Sequence, residues 1–182
     1  PLSMLTFGLQ YQAWPADPAA FKSVNLLLHL ANGVLVYWFF VAMGRAARWT
    51  GDGKIPALLV AAVWLLHPIQ VSTTLYIVQR MTLLAALFSL AGLIAFVEGR
   101  RLVEEGKRAT GYWIAGTGIA VGTALAIGSK ESGILLPLYA LVVEATLFGS
   151  LQKGVGWRRW KAAFLYVPLL AVLMVAFFKF GA

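Results

Sequence analysis

Long stretches without formal charge divide this chain. Residues 23–43, 81–97, 112–128 and 162–178 carry none, and 133–149 carry only Glu144. Each is near the roughly 17–25 residues that cross about 30 Å of hydrocarbon at about 1.5 Å per residue. Residues 55–79 hold no charge beyond His67, but Pro68 divides them. Proline in a last turn removes a donor and clashes with the turn before it. A helix to about His67 is therefore expected, then a shorter segment at the membrane surface. The pattern predicts an all-α fold, a polytopic transmembrane bundle of about six helices. The spans fall near 23-43, 54-67, 81-97, 112-128, 133-149 and 162-180, and 1-22 and 68-80 form outer-face segments. Recurrent spans argue against a lone secretory signal, and no short repeat is present.

Composition agrees. Sixty per cent of the 182 residues are hydrophobic and 12% are charged, against roughly 25% charged in a soluble domain. Mean hydropathy is +0.80, so lipid is the expected solvent. A net charge of +8 would suggest nucleic acid in a soluble protein, but its distribution follows membrane topology instead. Alternating six spans gathers Arg45, Arg48, Lys54, Arg100, Arg101, Lys107, Arg108, Lys153, Arg158, Arg159 and Lys161 on one face, 11 of the 15 basic residues. The excess of basic loops places that face in the cytoplasm and residues 1–22 outside. Trp49, Trp157 and Trp160 lie beside these loops, where interfacial aromatics are expected. The absence of cysteine excludes disulfides and thiolate metal sites. Because the chain starts at Pro1 and stops behind an apolar run, it is expected to be a fragment of a longer protein.

Few charges remain for the outer face: Lys22, Arg80, Lys130, Lys179, Asp17 and Glu131, with His67 at a helix end. Ionisable groups at a membrane boundary are costly and often bind a ligand. Equally, Arg80 could snorkel and Lys130 pair with an acid, merely fixing the bundle. On the first span Asn25, His29 and Asn32 are spaced four and three apart, so they share one face turned to protein or a wet cavity. For Asn32 the plain reading is interhelical hydrogen bonding. Gly118 and Gly122 suggest close helix packing. Motifs for a zinc protease, a phosphate loop or a hydrolase nucleophile are absent, and neither a metal nor a cofactor is expected.

Three ordered blocks then resemble a known family. Pro1-Leu2-Ser3-Met4-Leu5-Thr6-Phe7 with Asn25-Leu26-Leu27-Leu28-His29 forms the first. His67-Pro68-Ile69-Gln70-Val71 with Gln79-Arg80 and Leu83-Leu84-Ala85-Ala86-Leu87-Phe88 forms the second, and Ser129-Lys130-Glu131-Ser132-Gly133 the third. Together they resemble the transmembrane and tetratricopeptide O-mannosyltransferase-like proteins, and residues 71–82 resemble the bacterial branch. The resemblance implies a GT-C type membrane glycosyltransferase, here in the bacterial inner membrane. Such enzymes move a sugar from a polyprenyl-phosphate donor to a protein or glycan acceptor outside the cytoplasm. The usual catalytic carboxylate would lie upstream of Pro1, leaving the catalytic residue unknown here.

That chemistry suits the outer charges. A leaving phosphate needs positive charge where negative charge develops. Arg80 could offer a planar fork and Lys130 a point charge, while His67 could hydrogen-bond the phosphate or shuttle a proton. Glu131 would orient Lys130 or Arg80, with Asn25, His29 and Gln79 in support. Asp17 reads more readily as a turn or cap than as a base. The expected partners are membrane lipid, the lipid-linked donor, the acceptor and neighbouring membrane subunits, not nucleic acid. The rivals are a non-catalytic membrane subunit or scaffold, and a lipid-linked-oligosaccharide ligase or flippase.

Overall fold

A computed structural model describes residues 2–15, 17–149, 155–170 and 174, and every regular element among them is helical. Helix α1 spans Leu2–Ala13 and α2 Pro18–Ala46. Asp17 caps α2, its carboxylate accepting the Ala19 N–H at 2.9 Å, and Pro18 opens the first turn, where its missing N–H costs nothing. The expectation of a cap at Asp17 holds. Helix α3 covers Lys54–Leu66 and ends at His67 in extended backbone before Pro68, as the proline predicts. A short α4 (Gln70–Leu75) and a 3-10 turn (Ile77–Gln79) lead into α5, Arg80–Glu104. Helix α6 is Arg108–Ser129; a 3-10 segment (Glu131–Leu135) then leads into α7, Leu136–Leu147. Helix α8 (Val155–Lys161) continues into a π-helical turn, Ala162–Tyr166.

Among the described residues, three helical stretches are long and apolar enough to cross a membrane: Pro18–Ala46, Ile77–Glu104 and Arg108–Ser129. The chain is an integral membrane protein on that evidence. With 13 residues, α3 rises only about 20 Å. The last expected span lies partly outside the described residues. The stretch 98–111, expected as a loop, is mostly helix, leaving Glu105–Lys107 as the connection.

Helices α5 and α6 form the tightest pair. A Cβ on Gly99 would lie 2.6 Å from the Ala115 nitrogen, and one on Gly92 2.8 Å from the Gly118 oxygen. Only glycine permits backbones that close, so the expectation from Gly118 and Gly122 holds. Helix α2 packs on α5, α3 packs on α2, and α7 closes on α5 and α6. The apolar core, with Phe96, Val97, Ile119, Leu136 and Ala140, fills the space between α5, α6 and α7. This scaffold fixes both ends of α5, and the buried charges sit at those ends.

Candidate functional site

Arg80 opens α5 and is 1% exposed. Its Nε donates to Asn25 Oδ1 at 3.2 Å, one terminal nitrogen to the Thr6 carbonyl at 3.4 Å, and the other to Gln10 Oε1 at 2.5 Å and the Phe21 carbonyl at 3.3 Å. The guanidinium carbon lies 4.5 Å from the centre of the Phe7 ring and 5.4 Å from that of Phe21. These contacts join α1, α2 and α5 through one side chain. Every acceptor is neutral, and among the described residues no ion pair includes Arg80. The helix start adds positive dipole rather than relieving charge. Neutral hydrogen bonds and ring faces offset part of the desolvation cost, but a counter-charge is missing.

Lys130 reaches the same end of α5. Its Nζ donates to Thr82 Oγ1 at 2.9 Å, and that hydroxyl donates to Gln79 Oε1 at 2.7 Å. Thr82 is two residues from Arg80, so the two cations stand at one end of one helix. Lys130 sits in extended backbone between α6 and the following 3-10 segment. Glu131 beside it is exposed, and among the described residues no ion pair joins it to Lys130 or Arg80.

The polar stripe of α2 faces protein, as its spacing predicts: Asn25 and Asn32 are 0% exposed and His29 5%. Asn25 Nδ2 donates to the Tyr76 carbonyl at 3.0 Å, so this amide links Arg80 to the segment before α5. His29 Nε2 donates to the Leu65 carbonyl at 3.1 Å and its ring stacks on Trp64, tying α2 to α3. Asn32 Nδ2 donates to the Leu83 carbonyl at 3.0 Å. His67 is exposed at the end of α3, and its Nδ1 accepts the Ile69 N–H at 3.2 Å. A neutral ring so held carries its proton on Nε2. Arg80 and Asn25, and Lys130 and Gln79, are thus brought together; His29 serves a separate helix contact.

An open groove of ≈ 970 Å³ runs between the start of α2 and residues 68–78. Ile69, Val71, Leu75 and Val78 give it apolar walls, and Lys22 is the one charged residue among the described residues that line it. Val78, on its wall, immediately precedes Gln79 in the chain.

A second buried cluster escaped the sequence reading. Arg100, 0% exposed, sits near the other end of α5; its Nε donates to Glu144 Oε2 at 3.1 Å and one terminal nitrogen pairs with Glu104 at 3.1 Å. Trp157 Nε1 donates to the other Glu144 oxygen at 2.6 Å, and Lys161 stands 3.6 Å from it. Phe148 and Trp157 flank the guanidinium. Trp157 and Trp160 were expected at the interface, but they are buried in a stack with Tyr112 and Phe164. The reason is Glu144, which draws the Trp157 indole N–H inward. A lone carboxylate within an otherwise uncharged stretch was the available signal.

The blocks noted in the sequence fall within residues 1–137, and comparison with known proteins agrees with the family that they resemble. The chain is 30% identical over 142 residues to the human "Protein O-mannosyl-transferase TMTC4", covering 74% of this chain and 19% of that protein. It is 27% identical over 152 residues to mouse "Protein O-mannosyl-transferase TMTC2", covering 84% of this chain and 17% of that one. The chain therefore spans about a fifth of the length of these relatives. No family model and no solved structure matches it.

Proposed function

We propose, from the premise that this chain is a relative of the transmembrane and tetratricopeptide O-mannosyltransferase-like proteins, that it is part of a GT-C type membrane glycosyltransferase. In this reading a sugar passes from a polyprenyl-phosphate carrier to a protein or glycan acceptor on the outer face. The membrane would be the bacterial inner membrane, crossed about six times, with residues 1–22 on the periplasmic side.

The observation that carries the reading is the uncompensated positive charge at the start of α5. Arg80 is buried among neutral acceptors, Lys130 lies at the same end of the bundle, and Lys22 lines an apolar groove there. A lipid phosphate would bring both the missing negative charge and a chain suited to the groove. Lys130 would touch the phosphate directly, since its ammonium has donors beyond the one given to Thr82. Arg80, with four of its hydrogen bonds already made to protein, would act chiefly through its field in a low-dielectric surrounding. His67 would donate from Nε2, and Gln79 would hold Thr82 and hence Lys130. Asn25 would orient Arg80, while His29 would keep α2 and α3 in register. Glu131, exposed beside Lys130, would contribute local charge to the rim. The base for the acceptor hydroxyl would come from outside these residues.

The test is sugar transfer in membranes containing the full-length protein, normalised to its abundance. Lys130→Met should lower transfer roughly 10- to 150-fold, the equivalent of losing a charged hydrogen bond of about 1.5–3 kcal/mol. Lys130→Arg should restore part of it. Full transfer in Lys130→Met and in Arg80→Gln would leave these cations as structural anchors and favour a non-catalytic scaffold.

A further inference from the structure

Helix α1 has its polarity reversed for a helix lying on a protein in water. Its 12 residues include no charge. The residues it buries are polar, Ser3 and Gln10, while Met4, Leu5, Leu9 and Tyr11 are each more than half exposed. Trp14, one residue beyond its end, is 56% exposed. At about 18 Å, α1 is too short to cross a bilayer.

The polar side is fastened to the bundle. Ser3 Oγ donates to the Ser129 carbonyl at 3.3 Å, at the end of α6. The Thr6 carbonyl and the Gln10 side chain both accept from Arg80, and Phe7 stacks on Phe21 of α2. The backbone is thus held in place with its apolar face directed away from the protein. In water that arrangement would expose a contiguous hydrocarbon surface.

We infer that α1 is an in-plane membrane helix whose outward face lies in the headgroup–acyl boundary, at the membrane surface that holds Arg80 and Lys130. The partner is lipid. Helix α2, long and apolar enough to cross a membrane, likewise leaves Leu26, Leu27, Leu30 and Val34 exposed. It offers no charge for a charged protein partner, and Tyr11 and Trp14 are amphipathic rings of the type enriched at that depth. Arg80 then acts as the pin between a surface helix and the spanning bundle. This placement stands whether or not the chain transfers sugar.

The experiment uses the full-length protein in liposomes of phosphatidylethanolamine and phosphatidylglycerol, with single nitroxide labels at Leu5→Cys, Leu9→Cys and Ser3→Cys. Collision rates are measured with oxygen, which concentrates in the acyl region, and with a water-soluble nickel chelate. Labels at positions 5 and 9 should collide several-fold more with oxygen than with the chelate, while the label at position 3 is shielded from both. Two results would overturn the inference. Preference for the chelate at positions 5 and 9 would put the face in water. Shielding from both reagents there would mean that protein, either another subunit or a second copy, covers it.

Discussion

Helix α5 carries a buried arginine near each end, about 30 Å apart by helical rise, and the two are balanced in opposite ways. Arg100 meets two carboxylates, Glu144 and Glu104, with Lys161 alongside. Arg80 meets an amide oxygen from Asn25, another from Gln10 and two backbone carbonyls. Both guanidiniums lie between aromatic rings, so the difference is not one of packing. The Arg100 end is electrically closed, and both oxygens of Glu144 face donors. The Arg80 end retains a positive charge that its own fold does not neutralise, and that remaining charge is what the proposed anion would meet.

The largest effect is expected from opening the closed end. Glu144→Ala should cost about 3–5 kcal/mol, the range for removing one partner of a buried pair, read as loss of folded protein during thermal or denaturant unfolding in detergent. Arg80→Met should cost less, because it removes an ion rather than stranding one. Equal losses from the two changes would break the comparison.

Closing the open end should sharpen it. Gln10→Glu is nearly isosteric and would place a carboxylate where the Gln10 amide oxygen accepts from Arg80. Exchanging a neutral acceptor for a charged one should raise stability by about 1 kcal/mol while lowering sugar transfer in membranes, since the anion's share of the field is then already taken. A variant both more stable and fully active would show that the Arg80 charge serves structure alone.

The smallest expected effect lies between the ends. Asn32→Ala removes the bond to the Leu83 carbonyl, and such interhelical bonds average about 0.6 kcal/mol in membranes. Unfolding midpoints should shift slightly and transfer should stay unchanged. A loss near that of Glu144→Ala would extend the polar joint well beyond Arg80.

What was legible in the sequence followed from periodicity and charge. The stripe of Asn25, His29 and Asn32 gave the inward face of α2, Pro68 gave the end of α3, and Gly118 with Gly122 gave the tight α5–α6 contact. Arg80 and Lys130 stood out because outer basic residues are few. What spacing could not convey was the company each charge keeps. The partners of Arg80 in α1 and α2 lie 55 to 74 residues away in sequence, and that distance hides the neutrality of its acceptors. Arg100 reads as one more basic loop residue because α5 runs past the apolar stretch to Glu104. Glu131 follows Lys130 directly, yet adjacency in an extended and then 3-10 backbone does not make a pair.

The contact between α5 and α6 bears on how the molecule is made. The two most intimately packed helices are consecutive, joined by Glu105, Gly106 and Lys107, and Gly106 at φ 89 takes the left-handed turn at little cost. Their meeting surfaces, Gly99 against Gly111 and Gly92 against Gly118, are complete once α6 has been synthesised. A helical hairpin can therefore form early, during insertion, before α7 arrives to cover it. Elements synthesised later would assemble onto a finished edge, and a side chain added at Gly99 should show itself as a defect of biogenesis, in the yield of inserted protein, before any assay of the mature molecule.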